Sequence, residues 1–287
     1  MCAEVLEFLN CRPGKTYVDA TLGGAGHARA ILERTAPDGM LIGIDRDADA
    51  IANARTVLQP FAARVRLAHA DFAQTPALLA DMGIGGVDGL LLDLGVSLHH
   101  FEGSGRGFSF QKDEPLDMRM DVREPRTAAD ILAQSGENEL RDLFRAYGEE
   151  RFSGRIARRI VAARRRGPIR TSAELARIVA QSVPGSARGR IHPATRVFMA
   201  LRIAVNRELE LLEDLLGRLP EILLPGGRIC VLSFHSLEDR IVKDGLREGA
   251  RQKVYELLTK KPDIADIGET RINPRSRSAK LRAATRL

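Results

Sequence analysis

The sequence predicts an α/β protein: a doubly wound parallel sheet interrupted by an inserted all-helical domain. Three observations carry this. The first hundred residues alternate short apolar runs with helical patterns, the repeated βα unit of a parallel sheet covered by helices on both faces. From Thr127 to about Val183 the pattern is helical throughout, and after residue 192 sheet-forming segments return. The expected division is residues 1–105 and 192–287 for the sheet domain and 106–191 for the insertion.

Tyr17–Ala20 reads as the first strand, followed by the turn TLGGAG and a helix through Glu33. Met40–Asp45 is the second strand and Ala48–Leu58 its helix; Val65–Ala70 is the third, with a helix near Pro76–Asp81. Val87–Asp93 (VDGLLLD) is apolar on both faces and should be central in the sheet. The rhythm then breaks. LGVSLHHFEGSGRGFSFQKDEPLDMRMD is long, aperiodic and rich in glycine and charge, the profile of a functional loop. In the helical stretch, Thr127 with Asp130 and Thr171 with Glu174 have capping-box spacing. One long helix is expected from Ala194 to about Leu219, with Val197, Leu201, Val205, Leu212 and Leu216 on a single stripe. Pro225-Gly226-Gly227 should turn into the strand RICVLSF, Ser236 and Asp239 should cap the next helix, and KLRAATRL should supply a final edge strand.

Composition bounds the function classes. Of 287 residues, 44% are apolar and 29% charged, and no apolar run approaches the ~18 residues of a membrane span. The opening MCAEVLEFLN lacks the basic start and apolar core of a secretory signal, so a cytoplasmic location is expected. Cys2, Cys11 and Cys230 show no C-x-x-C spacing, and the adjacent His99 and His100 have no further ligand spaced nearby, so no metal is expected. Charge is unevenly spread. Between Arg151 and Arg207 lie fourteen arginines, no lysine and the single acid Glu174, a net +13 that leaves −7 for the rest of a chain totalling +6. Such a segment suits a polyanion, because the arginine fork donates two hydrogen bonds to one phosphate. A solvated helix face is the alternative reading of any one of these arginines.

The first βα turn of a doubly wound sheet lies at the edge where ligands bind, and there the sequence reads Thr21-Leu22-Gly23-Gly24-Ala25-Gly26-His27. Asp19 ends the first strand, Asp45 ends the second, where a carboxylate can accept from both hydroxyls of an adenosine ribose, and Asp71-Phe72 ends the third, where a ring can pack on adenine. The dinucleotide pattern G-x-G-x-x-G fails at Arg29, and no G-K-[ST] follows for a P-loop. An acidic strand end with G-G-x-G looks instead like the S-adenosylmethionine loop of Rossmann-like methyltransferases, with a nicotinamide enzyme as the lesser alternative.

The stretches VDATLGGAGHARAIL, IGIDRD, LLLDLGVS, RGFSF with PLDMRMD, GEERFSGRIARRI, HPATRVFMALRIAVNREL, SFHSLEDRIVK and NPRSRSAKLR run from about Tyr17 to Arg282. In that order they resemble the small-subunit ribosomal RNA methyltransferase H family, also called MraW. The resemblance implies methyl transfer from S-adenosylmethionine to the exocyclic N4 of a cytidine in small-subunit ribosomal RNA near the decoding site. It implies a partner in the small ribosomal subunit, and a homodimer is one assembly open to the chain. Carried over residue by residue, the cofactor contacts fall on Gly24, Ala25, Gly26 and His27 in the turn, then on Asp45, Phe72, Asp93 and His100. Ala25 stands where the family has Gly, and His100 where it has Gln.

The chemistry needs in-line positioning and an acceptor that takes a hydrogen bond from the cytosine amino group. Asp93 is the candidate acceptor; orienting the cofactor is its alternative role. DNA amino-methyltransferases carry [DNS]-P-P-[YFW] here, whereas this chain has Asp93-Leu94-Gly95-Val96, which counts against a duplex-flipping DNA enzyme. Ser97, Phe234 and His235 are expected at the RNA base, with Phe234 stacking on it or serving as core. Arg164, Arg165, Arg166, Arg196, Asn273 and Arg275 are expected at phosphates, with structural capping as the alternative for the last three.

Overall fold

The computed structural model of the protein describes residues 1–185 and 192–287, and at positions 98, 102 and 275 it describes the backbone alone. Arg188 and Arg190 of the basic segment lie outside the described residues. The chain forms two compact units, Met1–Gly95 with Leu209–Leu287, and Val96–Glu208.

The first unit is built on one sheet with eight strands among the described residues. They are β1 (Thr16–Asp19), β2 (Met40–Asp45), β3 (Val65–His69), β4 (Val87–Asp93), β5 (Leu223–Ser233), β6 (Tyr255–Leu257), β7 (Asp263–Ile264) and β8 (Lys280–Arg286). The order is β3-β2-β1-β4-β5-β8-β6, with β7 also paired to β8. From β3 to β5 the pairing is parallel; β8 runs antiparallel to β5, β6 and β7. Strand order reverses between β1 and β4, which opens a crevice at their carboxyl ends.

Pleating sorts the apolar runs onto two faces. Tyr17, Leu41 and Leu91 join the cluster holding Val5, Ile31, Leu32 and Ile51, from the helices α1 (Cys2–Leu9), α2 (Gly26–Arg34) and α3 (Ala48–Val57). Their neighbours Val18, Ile42, Leu90 and Leu92 join the opposite cluster, which includes Leu79, Leu212, Leu215 and Val242. A central strand must be apolar on both faces, and β4 is.

Three local expectations need correction. KLRAATRL forms β8 as expected, but inside the sheet, because the three-residue β6 covers its far side. Pro225-Gly226-Gly227 lies within β5 rather than before it; Gly226 takes φ +79° and the β4–β5 register slips between Val87 and Gly89. The helix after β5, α12 (Ser236–Arg251), is capped by His235 with Glu238 rather than by Ser236 with Asp239. The strand ends at Ser233, so the residue that is still extended before the first helical turn is His235.

The second unit is helical: α5 (Leu98–Glu102), α6 (Ala128–Gln134), α7 (Glu137–Gly148), α8 (Ser153–Arg164), α9 (Ser172–Ser182) and α10 (Ala194–Asn206). Leu140, Phe144, Ile156, Ile160, Leu175, Val179, Val197 and Leu201 form its core. Thr127 with Asp130 and Thr171 with Glu174 close the two expected capping boxes. The single long helix expected from Ala194 is two helices, α10 and α11 (Glu208–Ile222), broken where Arg207 turns left-handed at φ 50°. Buried Asn206 accounts for a stop at that place. Its Oδ1 accepts from Met120 N–H (2.8 Å), and its Nδ2 donates to Met118 O (2.8 Å) and Arg202 O (2.8 Å). The glycine-rich segment after α5 is thereby anchored, and Arg106 Nη1 adds bonds to Arg119 O (3.1 Å) and Met120 O (2.8 Å). Its lack of periodicity reflects side chain-to-backbone ties in place of a ladder. Among the described residues no helix is long and apolar enough to cross a membrane.

Candidate active site

In the first unit, acids end the strands at the crevice. Asp19 closes β1, Asp45 closes β2 and Asp93 closes β4. Between β1 and α2 the backbone folds tightly: Gly23 N–H donates to Asp45 Oδ2 (2.8 Å) and Ala25 N–H to Leu22 O (2.6 Å). A Cβ placed on Gly24 or Gly26 would meet nothing within 4 Å, so this side of the turn is open. Ala25 is fully buried, adopts φ 61° and ψ 19°, and caps α2 without a side-chain hydrogen bond. That conformation favours glycine, so the alanine carries strain at the ligand-facing turn. With no side-chain cap, the first N–H groups of α2 are offered to the crevice.

Asp19 is 1% exposed. Its Oδ1 accepts from Thr21 N–H (3.2 Å), and its Oδ2 is buried with no hydrogen-bond partner among the described residues. Burial pushes its pKa up to about 7; His27 and the Thr21 amide pull it down, and Asp93 and Asp45 push it further up. Asp93 is held at its backbone, where its N–H donates to Thr21 Oγ1 (2.6 Å), and at its side chain, where Oδ2 lies 3.3 Å from His27 Nδ1. Asp93 Oδ1 is buried and has no hydrogen-bond partner among the described residues. Burial alone would lower the His27 pKa, but the hydrogen bond and charge of Asp93, with the charge of Asp19, raise it above the ordinary value.

The structure thus gathers Asp19, His27, Asp45 and Asp93 around one turn. The sequence reading leaves out Thr21, whose hydroxyl ties the turn to β4; a threonine directly after an acidic strand end is the signal available for it. Phe72 begins a short 3-10 helix after β3, 9% exposed against the apolar cluster of Leu79 and Leu90. Phe234 is partly buried, and a Cβ on Gly95 would stand 3.5 Å from its ring. His235 is occupied by its cap: Nδ1 accepts from Glu238 N–H (3.4 Å) and Nε2 is 3.0 Å from Glu238 Oε1. Asn273 is exposed, and its carbonyl receives Ser276 N–H (3.0 Å) and Ser276 Oγ (2.7 Å). The side chain of Arg275 lies outside the described residues.

In the helical unit, Ser97 and His100 form the capping box of α5, with Ser97 Oγ 2.9 Å from His100 Nδ1. His100 is buried and meets Phe108 edge-on at 4.9 Å. Arg164 donates Nη1 to Leu132 O and Ser135 O (both 2.6 Å), so its guanidinium finishes the end of α6. Arg165 and Arg166 are exposed, and exposed Arg196 makes one long bond to Glu149 O (3.3 Å).

S-adenosylmethionine carries a sulfonium, an ammonium, a carboxylate and a ribose diol. The crevice answers with two buried carboxylate oxygens lacking partners, an uncapped helix N-terminus and an acid at the end of β2, so the residues present fit this group.

The chain is similar to Ribosomal RNA small subunit methyltransferase H of Syntrophotalea carbinolica, 50% identical over 303 residues that cover 100% of this chain and 96% of the relative. The protein of the same description from Acidobacterium capsulatum is 51% identical over 288 residues, 98% of this chain and 95% of the relative. Among solved structures, an rRNA methylase from Streptococcus thermophilus aligns with TM-score 0.46 and 9% identity over 100% of this chain and 93% of its own. The model of the MraW methylase family matches residues 1–287. S-adenosylmethionine is the methyl donor of that family, and with its crevice acids and turn in place along the whole matched length, the chain belongs to the MraW methylase family.

Proposed function

We propose that this protein transfers the methyl group of S-adenosylmethionine to the exocyclic N4 of a cytidine in small-subunit ribosomal RNA, near the decoding site. The observation that carries the reading is Asp93, with one carboxylate oxygen held by His27 and the other buried without a partner. An acceptor fixed in this way, at the end of a central strand, suits an amino group that must surrender a hydrogen bond as its nitrogen lone pair attacks. The relatives' printed names supply the RNA class.

When bound, the cofactor supplies an electrophilic methyl on a positively charged sulfur. Gly24, Ala25, Gly26 and the α2 amides would hold its polar end, Asp45 its ribose and Phe72 its adenine, with His27 orienting Asp93; His100 is the further cofactor residue that the family resemblance implies. On the RNA side, Phe234 stacks on the target base next to Gly95, and Ser97 bounds it. Arg165, Arg166, Arg196, Asn273 and Arg275 meet phosphates. Arg164 and His235 act indirectly, the first by finishing α6 and the second by starting α12.

The test is incubation with labelled S-adenosylmethionine and either small subunits or naked small-subunit RNA, followed by nucleoside analysis. Labelled N4-methylcytidine is expected from at least one substrate. Label on another nucleoside, or none with either substrate, refutes the reading.

A further inference from the structure

A second polar feature of the first unit has no part in cofactor binding. Where α12 crosses β6 and β8, a surface cleft is bordered by Lys243, Arg247, Lys260 and Arg282, with Leu246 and Leu257 also lining it. No acid lines this cleft. Lys243, Leu246 and Arg247 are spaced three and four apart, so α12 presents them on one face. Leu246 is buried, while Arg247 and Lys260 are exposed.

Arg282 is the fixed member. It is 7% exposed, and its Nε donates to Asp239 Oδ1 (2.6 Å). Among the described residues the guanidinium makes no other hydrogen bond, so Nη1 and Nη2 remain for a ligand in the cleft. Asp239 also holds Lys280 Nζ (3.0 Å), and these two cations keep its carboxyl below the usual range despite partial burial. Asp244 lies 3.2 Å from Lys243. Two carboxylates therefore answer five cations, and the excess is positive.

Position along the sheet gives the cleft a use. Arg282 pairs with Val231, and Val231 pairs with Leu92, the residue before Asp93. Two strand spacings, roughly 10 Å, separate Arg282 from the strand that ends at the candidate acceptor. Along this sheet the β1, β2 and β4 ends are acidic and the β8 region is cationic. A cationic cofactor suits the first and a polyanion the second.

We infer that the cleft bounded by Lys243, Arg247, Lys260 and Arg282 binds a backbone phosphate of the RNA substrate, with the adjoining ribose against the half-buried Leu257. The paired nitrogens of Arg282 match a phosphate's oxygens, and the apolar lining matches a sugar better than a free ion. This inference rests on the RNA-methylating reading above.

The test uses the full chain and a labelled single-stranded fragment of small-subunit ribosomal RNA, with affinity measured across a salt series. Arg247→Glu with Lys260→Glu is expected to weaken binding at least tenfold and to flatten the log–log salt slope by about 1, the scale of one or two lost phosphate contacts on a single strand. S-adenosylmethionine affinity and melting temperature should hold. The control, Arg55→Glu with Arg66→Glu, makes the same charge change at exposed positions on α3 and β3. Unchanged RNA affinity in the first variant, or equal loss in both, overturns the cleft assignment. If the unaltered chain binds no RNA, the function reading fails first, and the inference with it.

Discussion

His27 Nδ1 stands 3.3 Å from Asp93 Oδ2, and this contact links the first turn of α2 to the end of β4. It fixes one oxygen of Asp93, while the other is buried with no partner among the described residues. His27→Asn is expected to lower the methyl-transfer rate about tenfold, the ~1.4 kcal/mol scale of one charge-assisted hydrogen bond, with little change in RNA affinity. Single-turnover methylation alongside RNA binding checks this; a loss confined to RNA binding counts against the pairing role.

Asp19 makes the folded protein sensitive to pH. Its carboxyl is raised from 3.8 to about 7 in the folded protein, so the folded state binds more protons than the unfolded state across that window. Stability must then fall as pH rises from about 4 to about 7. His27 tilts the same way: its pKa is raised from 6.5, so its contribution is present below 6.5 and lost as pH climbs through the folded value. Asp19→Asn is expected to flatten the decline, by at most roughly 4 kcal/mol between pH 4 and pH 8. Denaturant titrations of both proteins at the two pH values measure it.

The same carboxylate complements a positive ligand only when ionised. S-adenosylmethionine affinity is expected to rise as pH passes through 7, and the rise should be smaller in Asp19→Asn. Calorimetry at pH 6, 7 and 8 gives the comparison.

Ala25 pays for its left-handed turn with about 1–2 kcal/mol of strain. Ala25→Gly removes that strain but loosens the unfolded chain by roughly 0.4–1 kcal/mol, so a net gain of up to about 1 kcal/mol is expected. Ala25→Val, branched and buried, should lose about 2 kcal/mol or more. Thermal melts of the three proteins rank them.

Asn206 holds the segment after α5 through two hydrogen bonds, to the Met120 amide and the Met118 carbonyl. Asn206→Ala strands the Met120 amide and the Met118 carbonyl and should cost about 3 kcal/mol. Denaturation midpoints give the loss, and limited proteolysis should show new cleavage between residues 103 and 121.

Strands β1 to β4 were legible because each is a short apolar run between turn-forming residues, and the crevice acids were legible because each stands at the end of such a run. What the sequence hid was set by distant partners. Nothing near Arg207 marks a helix end; the stop depends on Asn206 reaching Met118 and Met120, far back along the chain. His235 caps α12 because its backbone is still extended there, while the adjacent Ser236 has the more familiar capping side chain. Ala25 belongs to a helix-forming residue type, and its positive φ comes from the Leu22 carbonyl and the Asp45 carboxylate folding the turn around it. The alternation that identified KLRAATRL as a strand carried no information about its neighbours, and so it was placed at the edge.

That interior place for β8 has a consequence during synthesis. β5 emerges with one side unpaired and stays so until Lys280–Arg286 has been made, because its partner β8 follows the other strands along the chain. Arg282, the fixed cation of the cleft, arrives in that same stretch. A nascent chain can therefore assemble the acidic crevice well before the basic one, and the sheet is complete only once β8 has been made.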